Sequence, residues 1–132
     1  MSQGKLTSAF AAFASLLALA AADVRAAAPA GEAWQGVVSG GSAVVRASLE
    51  RIGDRVALRF GEPRNCRIDA ELLQEAAGHA RFRFHPPANG GHFCDQLYPG
   101  DLRVATTPSG ISVAFTHGRQ AWSGELAVTG KP

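Results

Sequence analysis

The chain has 132 residues and a formal net charge of +2. Its basic residues are interleaved with acids and form no cluster, which argues against nucleic acid as a partner. An apolar leader leaves about 100 residues, room for one domain with one modest core and no second domain.

Lys5 precedes an apolar run over residues 9–22, and small residues continue to Ala30. That is the layout of a secretory signal peptide. The run stops at Asp23, short of the roughly 20 apolar residues that a spanning helix needs. The expectation is therefore a signal peptide and flexible N-terminus over 1–30 and a single domain over 31–132. It would be periplasmic or secreted, with no membrane span after cleavage. Cleavage is open among Ala20-Ala21-Ala22, Val24-Arg25-Ala26 and Ala28-Pro29-Ala30. Beyond the leader 11 basic and 10 acidic residues remain, so bulk charge names no partner.

Strand signals follow in order. Trp34, Gly36 and Val38 share one face by period-2 alternation. Ser39-Gly40-Gly41-Ser42 turns the chain, and 43–50 returns with Val45, Ala47 and Leu49 inward. Gly53-Asp54 closes a hairpin into 55–60, where Val56, Leu58 and Phe60 face inward. The next segment, 66–75, reads two ways. Cys66, Ile68, Ala70 and Leu72 fit one face of a strand, while 70–77 has high helix propensity. A hairpin with 81–85, in which Phe82 and Phe84 face inward, favours the strand.

Pro86-Pro87-Ala88-Asn89-Gly90-Gly91 cannot continue a central strand, and a loop runs to about Gly100. Three more strands are expected over 102–106, 111–116 and 121–129. Their inward candidates are Leu102, Val104, Ile111, Val113, Phe115, Trp122, Leu126 and Val128. About eight short strands joined by tight turns indicate an all-β antiparallel meander, a closed or partly closed barrel.

A repeated tetrapeptide bears on closure. Ala33-Trp34-Gln35-Gly36 opens the first strand and Ala121-Trp122-Ser123-Gly124 the last. Side by side, these strands would let each tryptophan cover a partner glycine and leave no free edge. A tryptophan soon after a glycine at the start of a meander resembles lipocalin-type barrels, although Gly31-Glu32-Ala33-Trp34 is one residue longer than their Gly-x-Trp. The resemblance implies a lipocalin-like architecture and nothing about ligands.

In an exported chain, two cysteines read as one disulfide, Cys66 to Cys94. The 28-residue separation gives about 3.5 kcal/mol in the chain-entropy account. The bridge pins a loop whose His92, Phe93, Asp95, Gln96 and Tyr98 form a candidate binding surface, although Phe93, Leu97 and Tyr98 could equally cap one end of the barrel. A second candidate is a stripe of outward arginines, Arg46, Arg59, Arg81, Arg83 and Arg103, with Arg55 alongside. Arginine forks suit carboxylates and phosphates, although cross-strand pairing with Glu50, Asp69 or Glu71 would absorb them.

His85, His92 and Asp95 flank the loop and could be drawn as a metal site. Their spacing matches no zinc pattern, and the bridge consumes the thiols, so neither metal nor cofactor is expected. No Gly-x-Ser-x-Gly elbow, free reactive cysteine or phosphate-cradling loop occurs, so an enzyme is not expected. The Ser-Gly-x-x-Tyr element of small bacterial lysozyme inhibitors is also absent, since Ser109-Gly110 continues as Ile111-Ser112-Val113. The leading expectation is a non-catalytic binding domain for a protein partner in the cell envelope, such as a periplasmic inhibitor or immunity-type protein. The alternative is a small-ligand barrel.

Overall fold

A computed structural model describes residues 31–88 and 91–129. The expected signal peptide over 1–30 lies outside the described residues. Eight strands run in chain order: β1 (Glu32–Gly40), β2 (Ala43–Ile52), β3 (Arg55–Phe60), β4 (Cys66–Ala76), β5 (His79–Phe84), β6 (Asp101–Thr107), β7 (Gly110–His117) and β8 (Gln120–Val128). Each pairs antiparallel with the next, and β1 pairs with β8, closing the barrel. A four-residue helix, α1 (His92–Asp95), sits in the long β5–β6 connection. No described helix is long and apolar enough to cross a membrane.

Alternation fills the interior. Val45, Ala47 and Leu49 from β2, Val56, Leu58 and Phe60 from β3, and Leu102, Val113, Phe115 and Leu126 from later strands are all buried. The same set was legible as inward positions because side chains on a strand alternate between faces. No polar or charged residue is buried among the described residues.

The ambiguous segment is a strand of 11 residues. Ile68 and Ala70 are buried, and they lie opposite Leu58 and Val56 of β3. Packing on both neighbours thus overrides helix propensity, which is a weak prior. A bulge interrupts β4: Leu72 lies opposite Phe82 but Gln74 lies opposite Arg81, leaving Leu73 unpaired. An extra residue shifts the alternation by one. Glu75, outward by the parity of 67, 69 and 71, therefore falls on the inner side opposite Ala80.

Closure occurs where the repeated tetrapeptides placed it, but in another register. Trp34 lies opposite Val128 and Gly36 opposite Leu126, so neither tryptophan covers a glycine of the other tetrapeptide. Trp122 covers Gly40 instead. At Gly36 and Gly124 it is backbone that approaches, from the carbonyls of Glu125 and Val37, and a Cβ at either position would collide with it. The glycines serve close strand approach at a barrel seam. Val128, expected inward, is 65% exposed because the barrel ends there.

The strands define two ends. One carries the β1–β2 and β7–β8 turns, the 61–65 loop and the described residues of the β5–β6 connection, with α1. The other carries the β2–β3, β4–β5 and β6–β7 turns together with the start of β1 and the end of β8. Gly53 and Gly118, with φ of +63° and +65°, serve tight turns at opposite ends, where positive φ is cheap only for glycine.

Candidate functional site

The capped end is built around Phe93. The Cys66–Cys94 bridge, with Cα atoms 6.1 Å apart, ties α1 to the start of β4. Inside α1, the Asp95 amide donates to the Gly91 carbonyl at 3.0 Å, and the Leu97 amide donates to that of Cys94 at 3.0 Å. This turn drives Phe93, Cys94 and Leu97 into the barrel mouth, where all three are buried. The Phe93 ring meets Phe60 edge-on at 4.9 Å and Trp122 edge-on at 5.2 Å, and it stacks on His117 at 4.1 Å. The Arg64 guanidinium lies 4.9 Å from the same ring, a cation–π distance.

His117 is the electrostatically perturbed group of this end. Burial first, then the charges of Arg64 and His92, push its pKa below the ordinary 6.5. Its Nε2 and the Nε1 of Trp122 are buried without a hydrogen-bond partner among the described residues. Neither His117 nor Arg64 was singled out from sequence. Each acts through a ring that is distant in the chain, so no local pattern marks it.

The loop residues divide. Phe93 belongs to the core, which leaves His92, Asp95, Gln96 and Tyr98 exposed on the outer side of the cap. The His92 ring and the Gln96 amide lie 3.2 Å apart in a hydrogen bond. His85 bonds instead to Glu71 at 3.1 Å. Among the described residues no three histidine, cysteine, aspartate or glutamate side chains converge as metal ligands would.

The arginine stripe also divides. Arg46 and Arg59 stand on the outer faces of β2 and β3 and make no ion pair among the described residues. Arg59 lies opposite Arg67 of β4, and Arg67 bonds Asp69 at 3.0 Å. Arg59 borders two outer clefts. One, of about 640 Å³, is lined by Arg67, Asp69, His85, Pro86 and Pro87 and touches Cys66. The other, of about 530 Å³, is shared with Arg46. Elsewhere, Arg81 bonds Asp101 at 2.8 Å and Gln74 at 3.0 Å, while Arg83 is 3.9 Å from Asp101. Arg103 lies opposite Arg81 and has no ion pair among the described residues. The two arginines of β5 thus share one acid, Asp101 of β6, while Arg46, Arg59 and Arg103 have none among the described residues.

No protein-family model, curated protein or solved structure matches this chain.

Sequence reasoning also passed over the far end of the barrel. A cavity of about 240 Å³ opens there, and Arg51 reaches across it to Glu75, with nitrogen–oxygen distances of 3.1 and 3.2 Å. Arg51 continues the inward parity of Val45, Ala47 and Leu49, which was a usable signal. Glu75 carried none, since only the bulge turns it inward.

Proposed function

We propose that the chain is an exported, non-catalytic binding domain that engages a protein partner of the cell envelope, in the manner of a periplasmic inhibitor or immunity-type protein. The binding surface is the outer side of the cap together with the adjoining arginine-lined cleft. One observation carries the reading: Phe93, Cys94 and Leu97 are buried while His92, Asp95, Gln96 and Tyr98 of the same turn stay exposed. The loop is thus anchored by its own core residues and presents an ordered polar and aromatic face. A partner would bind it with little loss of loop entropy. Cys66 joins the two parts, because it bonds Cys94 of the cap and borders the cleft of Arg59 and Arg67. Arg59, with no ion pair among the described residues, suits a carboxylate on the partner. The leader pattern and the disulfide support an oxidising compartment.

The test is capture from an envelope extract by the immobilised protein, repeated with Tyr98→Ala and Arg59→Ala. Both side chains are exposed, so Tm should hold within a degree or two of the parent while the captured band is lost. A band retained by both variants would place the interaction elsewhere.

A further inference from the structure

The open end of the barrel holds a feature that partner binding at the cap does not use. Its cavity of about 240 Å³ is floored by Leu49, Val56, Phe82 and Ile111 and walled by Trp34 and Val104. Ordinary small-molecule sites run about 300–1,000 Å³, so the occupant is small. Three charged side chains line this mouth, Glu32, Arg51 and Glu75, and the last two are paired with each other. Arg51 is there by strand parity, and Glu75 by the β4 bulge. Bulges at barrel rims commonly re-aim a side chain in this way.

The two paired charges are not held alike. The Arg51 Nε donates to the Gly53 carbonyl at 2.8 Å, and its guanidinium lies 5.2 Å from the centre of the Phe82 ring. Neither contact involves Glu75. What remains is the Nη1 and Nη2 fork, and both prongs donate to the Glu75 carboxylate. Glu75 has no other hydrogen-bond partner among the described residues, and its side chain is 49% exposed against 25% for Arg51. An ion pair this open to water is worth little. Exchange at this mouth therefore replaces the acid and leaves the base in place. A ligand cation would have to evict Arg51 from Gly53 and Phe82, whereas a ligand carboxylate needs only to let Glu75 swing into solvent. Glu32, opposite Arg51 in the β1–β2 register, also lines the cavity but makes no hydrogen bond to Arg51 among the described residues, so Glu75 is the carboxylate a ligand would displace from the fork.

We propose that the open end is a binding site for a small carboxylate with a short apolar tail. Its carboxylate takes the place of Glu75 on the Arg51 fork, and its tail lies over Phe82 between Trp34 and Val104. Arg51 fixes the head bidentately, and the closed floor limits the tail to a few carbons. The site is independent of the partner surface at the cap, so either can fail without the other.

The probe is sodium hexanoate, titrated into the full chain labelled with nitrogen-15, with hexylamine and hexanol as comparators. The two tryptophans give two indole signals, one at each end of the barrel. Hexanoate should move the Trp34 signal saturably and leave Trp122 in place, with the amine and the alcohol weaker. Arg51→Gln should abolish the shift. Glu75→Gln should tighten binding several-fold, because it removes the internal competitor. Val104→Phe should block the site with the ion pair intact, and it decides the matter if Arg51→Gln does not fold. The proposal falls if hexylamine moves Trp34 at lower concentration than hexanoate. It falls equally if hexanoate leaves Trp34 unmoved, or if Glu75→Gln binds no tighter than the parent.

Discussion

At one end of the barrel Phe93 and Leu97 fill the mouth under a disulfide, and both side chains are buried. At the other end a single ion pair, Arg51 to Glu75, spans a cavity that the core does not fill. Burying an aromatic ring contributes kilocalories, while an exposed ion pair contributes little. The capped end therefore holds the fold together, and the open end can change its contacts without threatening it. A functional surface at the cap must be what remains outside the plug, whereas at the open end the inside itself is accessible.

The largest test of this contrast is Phe93→Ala. Removing a ring 5% exposed that touches Phe60, His117 and Trp122 leaves a cavity, at a cost of about 3–5 kcal/mol. Urea denaturation of the oxidised protein measures it. Replacing both cysteines by serine should cost about 3.5 kcal/mol by loop-closure entropy, and the two losses should not add, since both release α1. Full additivity would show that the bridge and the ring act on separate parts of the fold.

The corresponding change at the open end is Trp34→Ala. Trp34 is only partly buried and packs against the edge of the core, and an already open cavity adds no new void. A loss of about 1–2 kcal/mol is expected from area alone. A cost equal to that of Phe93→Ala would mean that the open end is as structural as the cap.

The sequence carried the barrel because a period of 2 needs no knowledge of neighbours: Val56, Leu58 and Phe60 declare a face by themselves. It carried the disulfide because two cysteines have one pairing. It favoured the strand over a helix for residues 70–77 only through the expected hairpin with 81–85, since the deciding packing of Ile68 and Ala70 on β3 is non-local. The seam register was out of reach for a related reason. Which backbone atoms approach Gly36 and Gly124 depends on barrel stagger, and a four-residue similarity does not encode it. The candidate sites were half legible. Exposure of Tyr98 against burial of Phe93 follows from one turn of α1, and the division of the arginines follows from where Asp101 sits. The bulge at Leu73 erased the parity that would have located Glu75.

The smallest expected effects separate the two ends by pH. Both perturbed groups have pKa values lowered by folding, so each favours the folded state when deprotonated, and each contribution is lost as pH falls. The windows differ. For His117 the unfolded chain begins to take up the proton near 6.5, while burial and the charges of Arg64 and His92 resist it in the folded state. Stability should decline from there downward, and in His117→Asn that part of the decline should vanish. For Glu75 the hydrogen bond and charge of Arg51 hold the carboxyl below its ordinary 4.5, so its contribution survives until the pH falls under that value. Glu75→Gln should thus leave the profile unchanged through the histidine window and flatten only its acid limb. Melting temperature against pH for the parent and the two variants reads both. If Glu75→Gln altered the decline that begins at 6.5, the two ends would be coupled through the core, and the division between a structural end and an exchangeable one would not hold.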